Sequence, residues 1–468
     1  MAKGLAGFAP LAVSSARAGG SHARWYDRCR LTEVVTAAAA VFDERIATRQ
    51  AKVGVIGLGY AGLPLAIAFA EAGFAVTGVD TNEERVSAVR EGRSYLVDVP
   101  ASRYDGLDGK LTATSDYGAV SELDAVTICV PTPLSKTRTP DLSYIVSAAE
   151  SVAANLRPGQ LVVLQSTTHP GTTEELVLPA LARAGGEVGR DFFLGYAPER
   201  VDPGNTRFTI RNTPKLVAGV TAECLRRTEL VYGQIVDRIF PVSSPKVAET
   251  AKIHENTFRA VNIALANELA LMCDKLGISA WEVIEAAATK PFAFLPHYPG
   301  PGLGGDCIPI VPHFLAWRLR EYGYSPQLIE AAHEINARMP LYVVQKVADA
   351  LNDLGRPIKG SRLLLLGVAY KADVHDTRES PSFEVMRQLL ARGGEVAYCD
   401  PWVPELELDG NVHRSVDWTP EEVAAAECVV VLTQHRQFLE RPLWRHARLI
   451  VDTRNVVPPD AGPPIRTI

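Results

Sequence analysis

Ala51-Lys-Val-Gly-Val-Ile-Gly57-Leu-Gly59-Tyr-Ala-Gly62-Leu-Pro-Leu-Ala-Ile-Ala-Phe-Ala70 decides the fold class. It opens as an apolar run of strand length and closes as an apolar run of helix length, with three glycines between. That order suits a dinucleotide. Gly57 makes the turn, Gly59 lets a pyrophosphate approach the backbone, and Gly62 lets the helix pack on the strand. The free N–H groups at the helix N-terminus then face the phosphates. A second strand, Ala75-Val-Thr-Gly-Val, ends at Asp80, whose carboxylate would accept ribose hydroxyls and repel a 2′-phosphate. The expected cofactor is NAD. Arg85 is either an adenosine contact or a solvated helix residue.

Outward from this unit, strands and helices keep alternating, as in a parallel sheet covered on both faces. Leu31 to Ala47 has helical apolar spacing and reads as a lead-in helix. Asp124–Val130 and Gln160–Thr168 read as buried strands, and a further strand from Phe192 runs into a Pro/Gly turn. Strand ends at the carboxyl edge of such a sheet face the ligand crevice. Thr132, Ser166 and Thr167 are therefore expected on the nicotinamide side. Glu199 lies at a strand end too, as a site carboxylate or an ordinary loop residue.

Beyond Pro241 the texture changes. Pro245 through Leu276 is one helical pattern, apolar almost all round, and about 45 Å long at helical rise. Lys252 and Asn256 fall at i and i+4 within it, either as a substrate-facing pair or as a structural one. Pro299-Gly-Pro-Gly-Leu-Gly-Gly-Asp-Cys307-Ile-Pro309 follows. Its glycines allow close approach to a ligand and its prolines stiffen the turn. Cys307 is a candidate nucleophile there, against the commoner fate of a buried apolar thiol. A second long helix is expected from Pro326 to Leu354. From Ser361 a second α/β unit begins, lacking the glycine fingerprint but carrying Lys371, Arg378 and Arg454, basic groups suited to a diphosphate. The expected division is an extension over 1–30, a dinucleotide-binding unit over 31–240, a helical region over 241–355 and an α/β unit over 356–468.

Composition narrows the function classes. The 468 residues are 47% hydrophobic and 22% charged, with a formal net charge of −6. This mild acidity, without a Lys/Arg run, argues against a nucleic-acid partner. No apolar run reaches the roughly 18 residues of a membrane span. The seven cysteines are scattered without a Cys-x-x-Cys pair. That pattern fits a reduced, cytoplasmic protein with neither a disulfide framework nor a metal site. Residues 1–30 carry five Lys/Arg against one acid. Their only apolar run is broken by Pro10, so they read as a disordered extension rather than a targeting peptide.

Together these segments closely resemble the UDP-glucose/GDP-mannose dehydrogenase family, from about Leu31 to the C-terminus. The resemblance rests on Gly57-Leu-Gly-Tyr60-Ala-Gly-Leu-Pro, Val130-Pro-Thr-Pro, Ala197-Pro-Glu-Arg200, Lys252-Ile-His-Glu-Asn-Thr-Phe-Arg259, the cysteine loop and Tyr370-Lys-Ala-Asp-Val-His-Asp-Thr-Arg-Glu-Ser-Pro381. The segment from Thr289 to Pro299 resembles the UDP-N-acetylhexosamine 6-dehydrogenase branch. The resemblance implies two Rossmann-like doubly wound domains joined by a long helix, the second binding the UDP-sugar. It also implies a four-electron oxidation of a nucleotide sugar's C6 alcohol to a carboxylate, with two NAD per turnover. UDP-glucose, a UDP-N-acetylhexosamine and dTDP-glucose all remain open as substrates.

By this correspondence Cys307 forms a thiohemiacetal and then a thioester, and Lys252 stabilises the C6 oxyanion beside Asn256. Glu199 manages protons and the hydrolytic water, oriented by Thr132. Arg200, Arg259, Gly304, Lys371 and Arg454 join the sugar-nucleotide site. Tyr60 lies in the cofactor turn, and Arg378 reaches the NAD pyrophosphate. One position departs: the family's aspartate four residues after the nucleophile is Val311 here. Asp306 or Glu199 is expected to take over part of its role. Two other readings stay in view, a two-electron hydroxy-acid dehydrogenase and a catalytically impaired binding relative. The apolar length of the central helix predicts at least a homodimer.

Overall fold

The computed structural model describes residues 37–96, 99–135, 138–202, 205, 207–305 and 307–468. Eight strands form the first sheet: β1 (Lys52–Ile56), β2 (Ala75–Val79), β3 (Leu111–Thr114), β4 (Ala125–Ile128), β5 (Leu161–Leu164), β6 (Phe193–Tyr196), β7 (Lys215–Gly219) and β8 (Ile239–Pro241). Their order is β3-β2-β1-β4-β5-β6-β7-β8. All neighbours are parallel except β6 and β7. Every residue of β4, β5 and β6 is buried, as expected for strands covered on both faces. The order reverses between β1 and β4, where a doubly wound sheet opens its ligand crevice.

The second sheet takes β9 (Arg362–Leu366), β10 (Glu395–Cys399), β13 (Cys428–Val431), β14 (Ile450–Asp452) and β15 (Ile465–Thr467) in the order β10-β9-β13-β14-β15. A hairpin, β11 (Glu405–Leu408) with β12 (Asn411–Arg414), sits beside it. The α/β class of two doubly wound sheets joined by a long helix is therefore confirmed. The two first turns are built alike. Leu58 N–H donates to Asp80 Oδ2 at 2.7 Å, and Val368 N–H donates to Asp400 Oδ2 at the same distance. Asp400 differs in being further taken up by Ala369 N–H and by His435 Nε2 at 3.0 Å.

The connecting helix runs Pro245–Leu276. Ser244 caps its N-terminus, and Gly277 ends it in the left-handed region at φ 68°. Glu249 pins it to the first sheet's domain, accepting from Gly171 N–H at 2.5 Å and from Thr173 N–H and Oγ1. The helix carries apolar residues on both faces, as the sequence suggests, with Ala248, Ile253, Ala260 and Ala270 buried. Its buried face carries Glu249, Lys252, Asn256, Thr257 and Asn267, while Phe258, Leu265 and Met272 are exposed at seven-residue spacing. Glu249 and Asn267 turn inward to hold the backbone of loops at Gly171, Thr173 and Gly300, Thr257 bonds Ile253 O of its own helix, and an apolar stripe is left on the outer surface.

The lead-in helix spans Ala37–Ala47, and the expected start from Leu31 lies outside the described residues. Among the described residues, no helix is long and apolar enough to cross a membrane.

His313, on the helix Val311–Arg320, meets His333, on the helix Gln327–Asp353, at 3.3 Å. Burial, then the neighbouring His333, pushes the His313 imidazole down to about 4. Its folded value lies below the ordinary 6.5, so between those values the unfolded chain binds more protons and stability rises with pH. The contribution is complete above pH 6.5 and is lost as pH falls toward 4. It amounts to about 2–3 kcal/mol at this burial. Measured from pH 7 to 4, the thermal midpoint of wild type should fall relative to that of His313→Leu, whichever is the higher at pH 7. Parallel curves would contradict this assignment.

Candidate active site

The glycine turn is shaped as the sequence requires. Gly57 has φ 89°, and a Cβ there would lie 2.8 Å from the Cys129 carbonyl oxygen. At Gly62 a Cβ would lie 1.8 Å from Gly57 O, so helix and strand touch through backbone. At Gly59 a Cβ would meet nothing within 4 Å. That open cradle at a helix N-terminus, with Asp80 oriented by the N–H groups of Leu58 and Asn82, fits a dinucleotide's pyrophosphate and ribose. Arg85 lies over Asp80, with Nη1 at 3.4 Å from Oδ2. Tyr60 meets His375 at 3.2 Å and lies under the Arg378 guanidinium at 4.6 Å, so the second domain closes over this turn.

Farther along the carboxyl edge, Thr132 Oγ1 donates to Thr167 O at 2.6 Å and Ser166 Oγ donates to Val130 O at 2.7 Å. These bonds tie the ends of β4 and β5 together. Glu199 stands beside them. Its Oε2 accepts from Gln165 Nε2 and from Lys215 Nζ, both at 3.1 Å, and its Oε1 accepts from the N–H groups of Arg200 and Val201. Burial pushes the Glu199 carboxyl up, but Lys215's charge and the backbone donors outweigh it and hold the group below its usual value. Arg200 pairs with Glu255 of the long helix at 2.6 Å, which brings the Glu199 loop to that helix.

The cysteine loop is clamped from two sides. Gly300 N–H donates to Asn267 Oδ1 at 2.9 Å, and Asn267 Nδ2 donates in turn to Asn336. On the other side a Cβ at Gly300 would lie 2.7 Å from Arg454 Nη1, and one at Gly304 would lie 2.5 Å from Tyr370 Cβ. Gly305 N–H donates to Arg378 O at 2.9 Å. Cys307 is exposed, which removes the reading as a buried apolar thiol.

Val311 N–H closes the next turn onto Cys307 O. The Val311 side chain is buried in an apolar cluster with Ile253 and Phe314, against which Leu134 packs. Cys307, the Thr132 loop and the helix face carrying Lys252 and Asn256 therefore converge. Lys252 and Asn256 are both buried, and Asn256 Nδ2 has no hydrogen-bond partner. A buried donor left open on the helix face against which Val311, just after the cysteine loop, packs points to a ligand.

Arg259 is exposed at the edge of the same helix face. Lys371 pairs with Asp202 at 2.9 Å across the domains. Burial lowers the Arg454 guanidinium to about 10, only partly offset by Asp452. Asp306 lies outside the described residues. Lys215, Gln165 and Tyr232 are the site groups that the sequence reading missed. The one available signal was a lysine opening the apolar strand Lys215-Leu-Val-Ala. Among the described residues, no group of three or more His, Cys, Asp or Glu could hold a metal ion.

Three family models match in order: the NAD binding domain of the UDP-glucose/GDP-mannose dehydrogenase family over residues 51–236, its central domain over 246–338 and its UDP binding domain over 364–459. The chain belongs to this family. The UDP-N-acetyl-D-glucosamine 6-dehydrogenase of Salmonella typhi is 34% identical over 425 residues, covering 87% of this chain and 97% of that protein. Its counterpart from Pseudomonas aeruginosa is 36% identical, covering 83% and 91%. The solved UDP-D-ManNAc dehydrogenase of Pyrococcus horikoshii superposes with a TM-score of 0.81 at 33% identity, covering 89% and 99%. The chain is thus an NAD-dependent nucleotide-sugar dehydrogenase acting on a CH–OH group, with a UDP-binding domain, and the two-electron hydroxy-acid reading falls.

Gly59 and Gly62 separate cofactor binding from folding. Gly59→Ala should leave the thermal midpoint unchanged and weaken NAD binding, because only the ligand would meet the new methyl. Gly62→Ala should lower both. Calorimetric titration with NAD alongside thermal melting checks the pair.

Proposed function

We propose that the chain oxidises the C6 hydroxymethyl of a UDP-N-acetylhexosamine to a carboxylate through a covalent adduct on Cys307. The observation that carries this is the exposed Cys307 on a doubly clamped loop, followed by Val311 packed on Ile253 within a turn of a buried lysine and a buried, unpartnered Asn256 amide. The most similar relatives reported above supply the N-acetylhexosamine.

NAD, held by the Gly57–Gly62 turn and Asp80, supplies the acceptor for each hydride. Lys252 stabilises negative charge at the C6 oxygen, and Asn256 Nδ2 holds the sugar or a water. Cys307 as thiolate adds to the C6 aldehyde, so that a second hydride can leave a tetrahedral carbon and give a thioester. Glu199, held ionised, takes a proton from the water that hydrolyses it, with Thr132 beside that water. Arg454 and Lys371 hold the diphosphate, Lys371 exchanging Asp202 for phosphate oxygens. Arg378 completes the cofactor side from across the cleft.

Val311 is packed among apolar side chains and does not supply the family's carboxylate, and Glu199 is the described carboxylate assigned to the hydrolytic step, with Asp306 as the alternative. The subunits associate through the exposed stripe of the long helix, giving at least a homodimer.

NADH formed per sugar, with limiting UDP-N-acetylglucosamine, UDP-N-acetylmannosamine, UDP-glucose and dTDP-glucose in parallel, tests the reaction. Two NADH per N-acetylhexosamine are expected. Cys307→Ala should abolish the second, and a variant still giving two would remove the thioester. Leu265→Arg should lower the mass seen by light scattering to that of a monomer.

A further inference from the structure

Lys215 opens β7 with its side chain only 5% exposed. Among the described residues its carboxylate partner is Glu199, and it lies 3.3 Å from Gln165 Oε1. Tyr232, the last residue of the helix Ala222–Tyr232, donates its hydroxyl to the same Gln165 Oε1 at 2.9 Å. With two donors on its oxygen, the Gln165 amide is locked with Nε2 toward Glu199. The Tyr232 ring lies 5.3 Å from Lys215 Nζ, and its hydroxyl also meets Thr127. Two side chains and two backbone N–H groups therefore fix one carboxylate.

The other charged and titratable groups here do not compete. Burial keeps the Cys129 thiol and the Tyr232 phenol protonated. Arg200 is paired with Glu255 from the long helix.

We propose that Lys215 is a positioning residue for thioester hydrolysis, fixing Glu199, directly and through Gln165 and Tyr232, as an ionised proton acceptor. The inference rests on the reaction proposed above. In the step it serves, water forms a C–O bond to the C6 acyl carbon while one water proton passes to Glu199. The C6–Sγ bond breaks and Cys307 leaves as thiolate. The products are the carboxylic acid, the thiolate and protonated Glu199, which returns its proton to solvent. No electrons are exchanged. A buried carboxyl without Lys215 would favour its neutral form. In that form it cannot take the proton. With Val311 in the neighbouring wall, no carboxylate at that position can substitute for it.

The test compares wild type, Lys215→Met and Lys215→Arg. Both hydride transfers precede hydrolysis, so K215M should keep a burst of two NADH per active site. The acid limb of its kcat should move up by about one pH unit or more, with kcat falling about tenfold per unit moved at pH values below the limb. Acid quenching should trap the acyl group on Cys307 by mass. K215R should restore the limb. A K215M enzyme with the wild-type acid limb, or one slowed equally at every pH, overturns the proposal.

Infrared difference spectra of wild type against Glu199→Gln decide the matter without K215M, should that variant not fold. The ionised carboxylate should persist on acid titration to below the ordinary glutamate value of 4.5, and a carboxyl that protonates above it would overturn the arrangement. Wild type that makes no NADH from any of the sugars would sink the reaction itself, while the infrared result would still judge the Lys215 arrangement.

Discussion

The contact on which the site depends is the hydrogen bond from Gly300 N–H to Asn267 Oδ1. It fastens the cysteine loop to the long helix at a point where the second domain presses from the other side through Arg454 and Tyr370. A side chain at Gly300 or Gly304 would collide with those residues, so close approach, rather than flexibility, explains these two glycines. The amide of Asn267 is fully buried and is itself oriented by Asn336, which bonds to the Ala260 carbonyl. Losing it would strand two buried polar groups at about 1–3 kcal/mol each. The reactive loop is therefore rigid at its root, and Cys307 is exposed at the far end.

Charge at the carboxyl edge is arranged by the same logic. Asp80 is oriented by backbone N–H groups and Glu199 by a buried lysine and an amide, while Asp202 holds Lys371 across the cleft. The two domains use one turn geometry with different outcomes. Asp80 keeps contact with the crevice, whereas Asp400 is enclosed by backbone donors and by His435. One inherited architecture thus presents a dinucleotide cradle on one side and basic groups for a diphosphate on the other.

Much of this was legible in the sequence because it is local. The strand–turn–helix fingerprint lies within twenty residues, the long helix declares its ends through Ser244-Pro245 and Gly277, and the cysteine loop is marked by its own glycines and prolines. What escaped notice is made by distant pairs. Lys215 meets a glutamine 50 residues earlier, and Tyr232 reaches the same amide across 67. The apolar Leu-Val-Ala after Lys215 hints at a strand but not at the burial of the lysine, which its place in β7, flanked by β6 and β8, imposes. Part of the long helix's buried face was illegible for a related reason. Glu249 and Asn267 serve partners from other segments, which the helix's own periodicity does not reveal.

The long helix carries Lys252 and Asn256 on its inner face and Phe258, Leu265 and Met272 on its outer one. Inner and outer groups are separated by as little as half a turn of a continuous hydrogen-bonded rod. Such a rod transmits displacement far better than it absorbs it. A load applied to the outer stripe, by whatever seats there, would tilt or slide the Lys252 amine and the Asn256 amide together. The scaffold is mechanical as well as chemical: the surface where another molecule can lean is the reverse side of the face that carries this buried pair.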